Sequence, residues 1–167
     1  MVQVDVDNGA VKILKDFKNV TCGGSIQISP DKKYIAYDLQ QNENSKQNDI
    51  HILSIDGNTD IKLISNLAND ISPIWSPDGK ELLFMSDRYG TNDLWKIQVD
   101  TGKAVGKPRL VKSDLGNGKR VLLGISTDKS IYYVTDNSRI DVYITEMNGA
   151  TKGSVKDPLK ISAHSTK

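Results

Sequence analysis

The chain has 167 residues, a formal net charge of +1, 37% hydrophobic residues and 26% charged residues. This balance suits a folded globular domain with a buried core rather than a disordered chain, and it gives no electrostatic case for nucleic acid or an acidic membrane surface. No apolar run is long enough to cross a bilayer, and Cys22, the single cysteine, excludes an internal disulfide.

From the N-terminus, Met1-Val2-Gln3-Val4-Asp5 shows no basic stretch followed by an apolar core, so no leader is visible. Alternating apolar residues predict two strands over 2–6 and 11–14, around the turn Asp7-Asn8-Gly9. A set of four strands follows at 25–28, 34–38, 49–54 and 61–64. The next four lie at 72–75, 81–85, 93–99 and 109–111, and the last four at 121–124, 130–135, 141–146 and 159–161. Between them stand turns of matching chemistry. In Ser76-Pro77-Asp78-Gly79-Lys80, Pro fixes φ, Asp can bond the backbone two residues on, and Gly supplies a left-handed residue. No segment holds a 3.6-residue apolar period, so helix is expected to be scarce.

Two markers recur at one spacing. Turn glycines at 9, 57, 102 and 149 are 48, 45 and 47 apart. The serines of Ser29-Pro30-Asp31, Ser76-Pro77-Asp78 and Ser126-Thr127-Asp128 are 47 and 50 apart. Four-stranded antiparallel units of about 40–50 residues are β-propeller blades. The fold class expected is therefore all-β, one partial propeller over 1–167, with half a blade at about 1–20 and full blades at about 21–66, 67–113 and 114–163. Each blade lays apolar rows toward its neighbours: Ile35 and Tyr37, Leu83 and Met85, Ile131 and Tyr133, with Trp75 and Trp95 filling between blades.

Trp75-Ser76-Pro77-Asp78-Gly79-Lys80, then Leu82-Leu83-Phe84, Ser86-Asp87-Arg88, Gly90 and Leu94-Trp95 resemble the TolB-type, WD-like β-propeller repeat family. Ser29-Pro30-Asp31-Lys32-Lys33-Tyr34-Ile35-Ala36-Tyr37 carries the same pattern, and the third copy carries it weakly. The resemblance implies a periplasmic or cell-envelope location. It does not single out a function, because such blades occur in periplasmic binding scaffolds, in propellers attached to peptidases and other hydrolases, in sugar-acid lyases and in sensory domains. Propellers of this family usually close with six blades or more. Three blades and a half are therefore expected to be a segment of a larger propeller, or to self-associate through exposed blade faces.

Nothing in the chain has the arrangement of a catalytic site. His51 and His164 are the two histidines, and no Gly-x-Ser-x-Gly elbow occurs. Thr21-Cys22-Gly23-Gly24 places no cation next to the thiol, which reads as a bystander. Two distant histidines and one cysteine make no zinc site, and Asp5-Val6-Asp7-Asn8-Gly9 reads as a hairpin turn rather than a calcium loop. Gly116-Asn117-Gly118-Lys119-Arg120 lacks the residues of a phosphate loop. The basic group Lys103, Lys107, Arg109, Lys112, Lys119 and Arg120 has no exposed aromatics interleaved and reads as a solvated face. Binding is instead expected on loops between second and third strands: Asp87, Arg88, Tyr89 and Asn92 in one copy, and Arg139 in another. The alternative, favoured by the resemblance because Ser86-Asp87-Arg88 is a hallmark of the repeat, is that Asp87 and Arg88 brace that loop through an ion pair and backbone hydrogen bonds. The expectation is a non-enzyme without metal or cofactor that meets a protein partner or small ligand, with no membrane insertion. The competing reading is the accessory propeller of a hydrolase or peptidase, or part of a sugar-acid lyase.

Overall fold

A computed structural model describes residues 1–116, 120–135, 143–144 and 159–160. The chain forms two compact units, Met1–Asp136 and Asn137–Lys167. Among the described residues every element is a strand. In the first unit, β1 (Val2–Val4) pairs with β2 (Val11–Ile13). A four-stranded sheet follows in the order β3 (Cys22–Ile28), β4 (Tyr34–Gln40), β5 (Asn48–Ser54) and β6 (Asp60–Ile64). A second runs β7 (Asp70–Trp75), β8 (Glu81–Ser86), β9 (Asp93–Asp100) and β10 (Lys103–Lys112). The pair β11 (Arg120–Ile125) and β12 (Ile131–Thr135) ends the unit. All these pairings are antiparallel. The second unit holds β13 (Tyr143–Ile144) paired with β14 (Leu159–Lys160).

The Ser-x-Asp turns build the hairpins. In the first two, the Ser hydroxyl donates to the Asp carboxylate and accepts the N–H of the first residue of the next strand, whereas the Ser126 hydroxyl bonds Asp128 and the Ser130 carbonyl. The distances are 2.6 and 2.9 Å for Ser29, Asp31 and Tyr34, and the same for Ser76, Asp78 and Glu81. Those hydroxyl bonds and an amide donor hold the Asp31 and Asp78 carboxyls below the usual range. The fourth turn residue is left-handed in every copy: Lys32 at φ 61°, Gly79 at 70° and Lys129 at 68°. Thr101 and Gly102, both at positive φ, form the two-residue turn between β9 and β10.

The core lies between the two four-stranded sheets. Ala36, Ile50, Ile52, Leu63 and Ile64 of the first meet Trp75, Leu82, Phe84, Trp95, Ile97 and Val99 of the second. Both tryptophans are 5% exposed and fill between sheets, as expected. Ile35 and Tyr37 point to the other side of the first sheet, with Leu14 and Leu53, while Leu83 and Met85 face Leu115 and Leu122. Tyr133 departs from its expected packing and is 43% exposed.

Two strands run three residues or more beyond what their sequence suggested. β10 begins at Lys103 rather than 109, because a bulge over residues 106–108 lets Gly106 and Pro108 sit in an exposed edge strand. β3 begins at Cys22 rather than 25, with its bulge between Cys22 and Ile26. Conversely β1 and β2 are shorter than 2–6 and 11–14. The expected strand over 141–146, the loops 117–119 and 136–140, and His164 with the rest of the C-terminal tail lie wholly or mostly outside the described residues.

The left-handed turn position sets a stability contrast. Gly79→Ala should cost about 1 kcal/mol, because an added Cβ meets only Pro30 at ordinary contact distance and the penalty is conformational. Lys32→Gly should gain about 0.5 kcal/mol, the relieved strain outweighing the larger entropy of the unfolded chain. Urea unfolding of the two variants checks both signs.

Candidate functional site

The loops at one end of the two sheets converge on the segment that leads from β6 into β7. From the first sheet's loop, the Gln41 side-chain amide donates to the Asn66 carbonyl at 2.8 Å and that of Gln47 to the Leu67 carbonyl at 2.5 Å. The Asn48 N–H donates to the Asn69 side chain at 2.9 Å. From the second sheet, Asp87 accepts the Asn69 N–H at 2.8 Å. Residues 66–69 are thus stitched on both sides, although they form no strand. A cleft of about 620 Å³ opens there, lined by Gln47, Asn66, Leu67, Ala68, Asp87 and Arg88.

Arg88 is held from three directions. Its guanidinium donates to Asp70 and to the Ser86 hydroxyl, each at 2.9 Å, and lies 4.4 Å from the Trp95 ring centroid and 5.4 Å from that of Phe84. Asp70 is fully buried and also accepts from the Asn66 amide at 2.6 Å. Burial pushes the Asp70 carboxyl up, opposed by Ser86, Arg88 and Asn66. Tyr89 leans edge-on against Trp95 at 5.3 Å yet is 72% exposed. Arg88 and Tyr89 therefore close the rim end of the intersheet core. The structure brings Asp87, Arg88, Tyr89 and Asn92 together on the β8–β9 loop, where the Asn92 carbonyl accepts the Leu115 N–H at 2.9 Å. Arg139 lies outside the described residues.

Leu67, 89% exposed, joins them from the neighbouring segment. Its one signal in the sequence is a leucine set in the polar stretch Ser65-Asn66-Leu67-Ala68-Asn69. Sequence reading also passed over the buried carboxylates at this end of the sheets. Asp49 is paired with Lys62 at 2.8 Å, and Asp93 accepts the Asp114 N–H at 2.9 Å. Asp38, 3% exposed, is the exception. Its Oδ2 accepts from the Asn48 amide at 3.1 Å, whereas its Oδ1 is buried without a hydrogen-bond partner. Burial pushes this carboxyl above its ordinary value of 3.8, opposed by neutral donors including Asn48 and the Ser25 and Ser72 amides.

The residues that could carry chemistry are otherwise engaged. His51 lies 3.4 Å from Asp60, which also accepts from Tyr37 at 2.8 Å and is paired with Lys15 at 2.6 Å. The cluster packs against the first sheet's own core and holds residue 15 to β6. Burial and the nearby Asp38 charge raise the Cys22 pKa, the direction that keeps it a thiol. Among the described residues no three His, Cys, Asp or Glu side chains are grouped to hold a metal ion.

Repeated four-stranded antiparallel sheets stacked face to face define a β-propeller segment. The TolB beta propeller domain family model matches residues 1–157, and the chain belongs to that family. It is 34% identical over 55 residues to the protein TolB homolog of Chlorobium luteolum, covering 33% of this chain and 13% of that protein. It is 26% identical over 117 residues to an uncharacterized protein of Agrobacterium fabrum, covering 65% and 39%. The chain thus spans well under half the length of these curated relatives. In fold it resembles TolB from Acinetobacter baumannii, with a TM-score of 0.55 at 21% identity over 94% of this chain and 36% of that one. It also resembles a prolyl endopeptidase, with a TM-score of 0.57 at 21% identity over 82% and 23%.

Arg88→Met should cost about 3–5 kcal/mol, since it leaves Asp70 buried without its cation, and Asp70→Asn in the same chain should restore part of the loss. Tyr89→Ala should cost about 1 kcal/mol. Denaturant unfolding of the variants reads all three. Asp38 gives a pH signature. Its folded pKa is raised, so the stability it contributes is fully present below the unfolded value and is lost as pH rises through the folded one. Asp38→Asn should therefore flatten the fall in stability as pH rises above the ordinary carboxyl value and leave the protein more stable than the wild type where the Asp38 carboxyl is ionised. Unfolding free energies measured across that range test the sign.

Proposed function

We propose that this chain is a non-catalytic segment of a larger TolB-like propeller protein that binds a protein partner at the loop rim between its two four-stranded sheets. The observation that carries this reading is the rim cleft of about 620 Å³, with Leu67 and Tyr89 exposing 89% and 72% of their surface beside the fixed polar groups of Asp87 and Arg88. Exposed apolar and aromatic side chains on a braced backbone are what a partner can bury without first ordering the loop. Likeness to TolB proteins supports a periplasmic or cell-envelope setting. The fold likeness to a prolyl endopeptidase supports a second reading, an accessory propeller whose catalytic domain lies elsewhere in the parent protein.

A photo-crosslinking residue at position 67 or 89 should capture a discrete partner from an extract of the source cells, and the same residue at position 58, in an exposed β5–β6 turn, should not. Equal capture at both ends, or none at 67 and 89, rejects the rim. The purified chain should show no turnover of peptide substrates; measurable hydrolysis that tracks the chain through purification rejects the non-catalytic part.

A further inference from the structure

Two charged side chains line the rim cleft, Asp87 and Arg88, and they differ in how their charge is met. The Arg88 guanidinium gives its Nε to the Ser86 hydroxyl and its Nη2 to Asp70, whose fully buried carboxylate offsets the positive charge from inside the protein. Asp87 is exposed, and among the described residues no cation lies within ion-pair distance of it. One of its oxygens accepts the Asn69 N–H at 2.8 Å. The other faces no donor among the described residues. The cleft therefore presents one unbalanced charge, and it is negative.

The first repeat shows that bracing the loop does not require that charge. Gln40 stands one 47-residue period before Asp87. Its side-chain oxygen accepts the Thr21 N–H at 3.1 Å, so a neutral amide ties down the segment leading into β3 as Asp87 ties down the segment leading into β7. A single acceptor atom does this work in both places. The second oxygen of Asp87 and its full negative charge are surplus to it, and they stand in the same cleft as Leu67 and Ala68.

We infer that the segment of the protein partner that enters this cleft carries a lysine or arginine beside an apolar side chain. The apolar side chain covers Leu67 and Ala68, and the cation meets Asp87. An acidic segment or a phosphate backbone would set its charge against Asp87 and gain little from Arg88, whose charge Asp70 already offsets. Asp87 thus selects the partner by charge, while the exposed apolar surface supplies the contact area. This partner chemistry rests on the rim contact proposed above.

The test places the photo-crosslinking residue at position 67 of the whole chain, with Asp87 intact and in Asp87→Asn and Asp87→Lys, and sequences the attached partner peptide by mass spectrometry. The peptide should carry Lys or Arg within about four residues of the attachment point, the span over which side chains share one face of a strand or helix. Asp87→Asn keeps an acceptor for the Asn69 N–H and should lower capture about two- to fivefold, the scale of an exposed ion pair. Asp87→Lys should lower it about tenfold or more, because like charges then meet. Added sodium chloride should weaken capture by the intact chain more than by Asp87→Asn. The decisive arm reverses both charges. The partner with its basic residue replaced by Glu should lose the intact chain and bind Asp87→Lys, a recovery that a misfolded chain cannot give. No capture at 67 or at 89 rejects the rim contact and this inference with it. A partner peptide without Lys or Arg, capture unchanged by Asp87→Lys, or a reversed pair that does not bind overturns the inference and leaves the rim contact standing.

Discussion

The apolar layer between the two four-stranded sheets is the contact on which the rest of the molecule depends. It packs the flat side of one sheet, Ala36, Ile50 and Ile52, against the bulky side of the next, Trp75, Phe84 and Trp95. Small against large lets two twisted sheets approach without voids. Neither sheet could stay folded with that face in water, so the repeat is stable only as a stack. The layer is not wholly apolar in its chemistry, since the indole N–H groups of Trp75 and Trp95 are both buried there without an acceptor.

At the rim the same layer ends in charge. Trp95 carries the Arg88 guanidinium on its ring, and Arg88 reaches past it to Asp70 at the start of the second sheet. The buried carboxylates differ in how they are satisfied. Asp70 has a guanidinium and Asp49 an ammonium, while Asp38 has neutral donors and one unpartnered oxygen. A paired buried charge fixes the geometry around it, and an unpaired one gives up stability as soon as it ionises. The loops that flank the cleft are braced by hydrogen bonds without being strands. Their polar atoms are committed to one another, which leaves Leu67 and Tyr89 to face the solvent.

Much of the fold could be read before any coordinates, for a local reason. A Ser-x-Asp turn closes through bonds between residues at most five apart, so its sequence carries its own geometry in each copy. Strand alternation is equally local. The reading weakened where the chain departs from those patterns. β10 runs well beyond 109–111 because its position as an exposed edge lets it absorb Gly106 and Pro108 in a bulge. β3 reaches back to Cys22, and Gly23 lies in the strand, where a Cβ would collide with Asp38.

The candidate site was legible by half. Asp87, Arg88, Tyr89 and Asn92 could be singled out because they sit together in one loop of the clearest repeat. Leu67 and Asp70 could not, because they join that loop only when one sheet stacks on the next and residues 18 or more apart come within hydrogen-bond reach. The sequence by itself determined the strand order, the turns and the period, since each rests on forces between neighbours along the chain. Only the tertiary structure decided which carboxylate meets a cation and which apolar residues stay in water. Those outcomes depend on what the next sheet brings to the interface, and no spacing within one repeat records it.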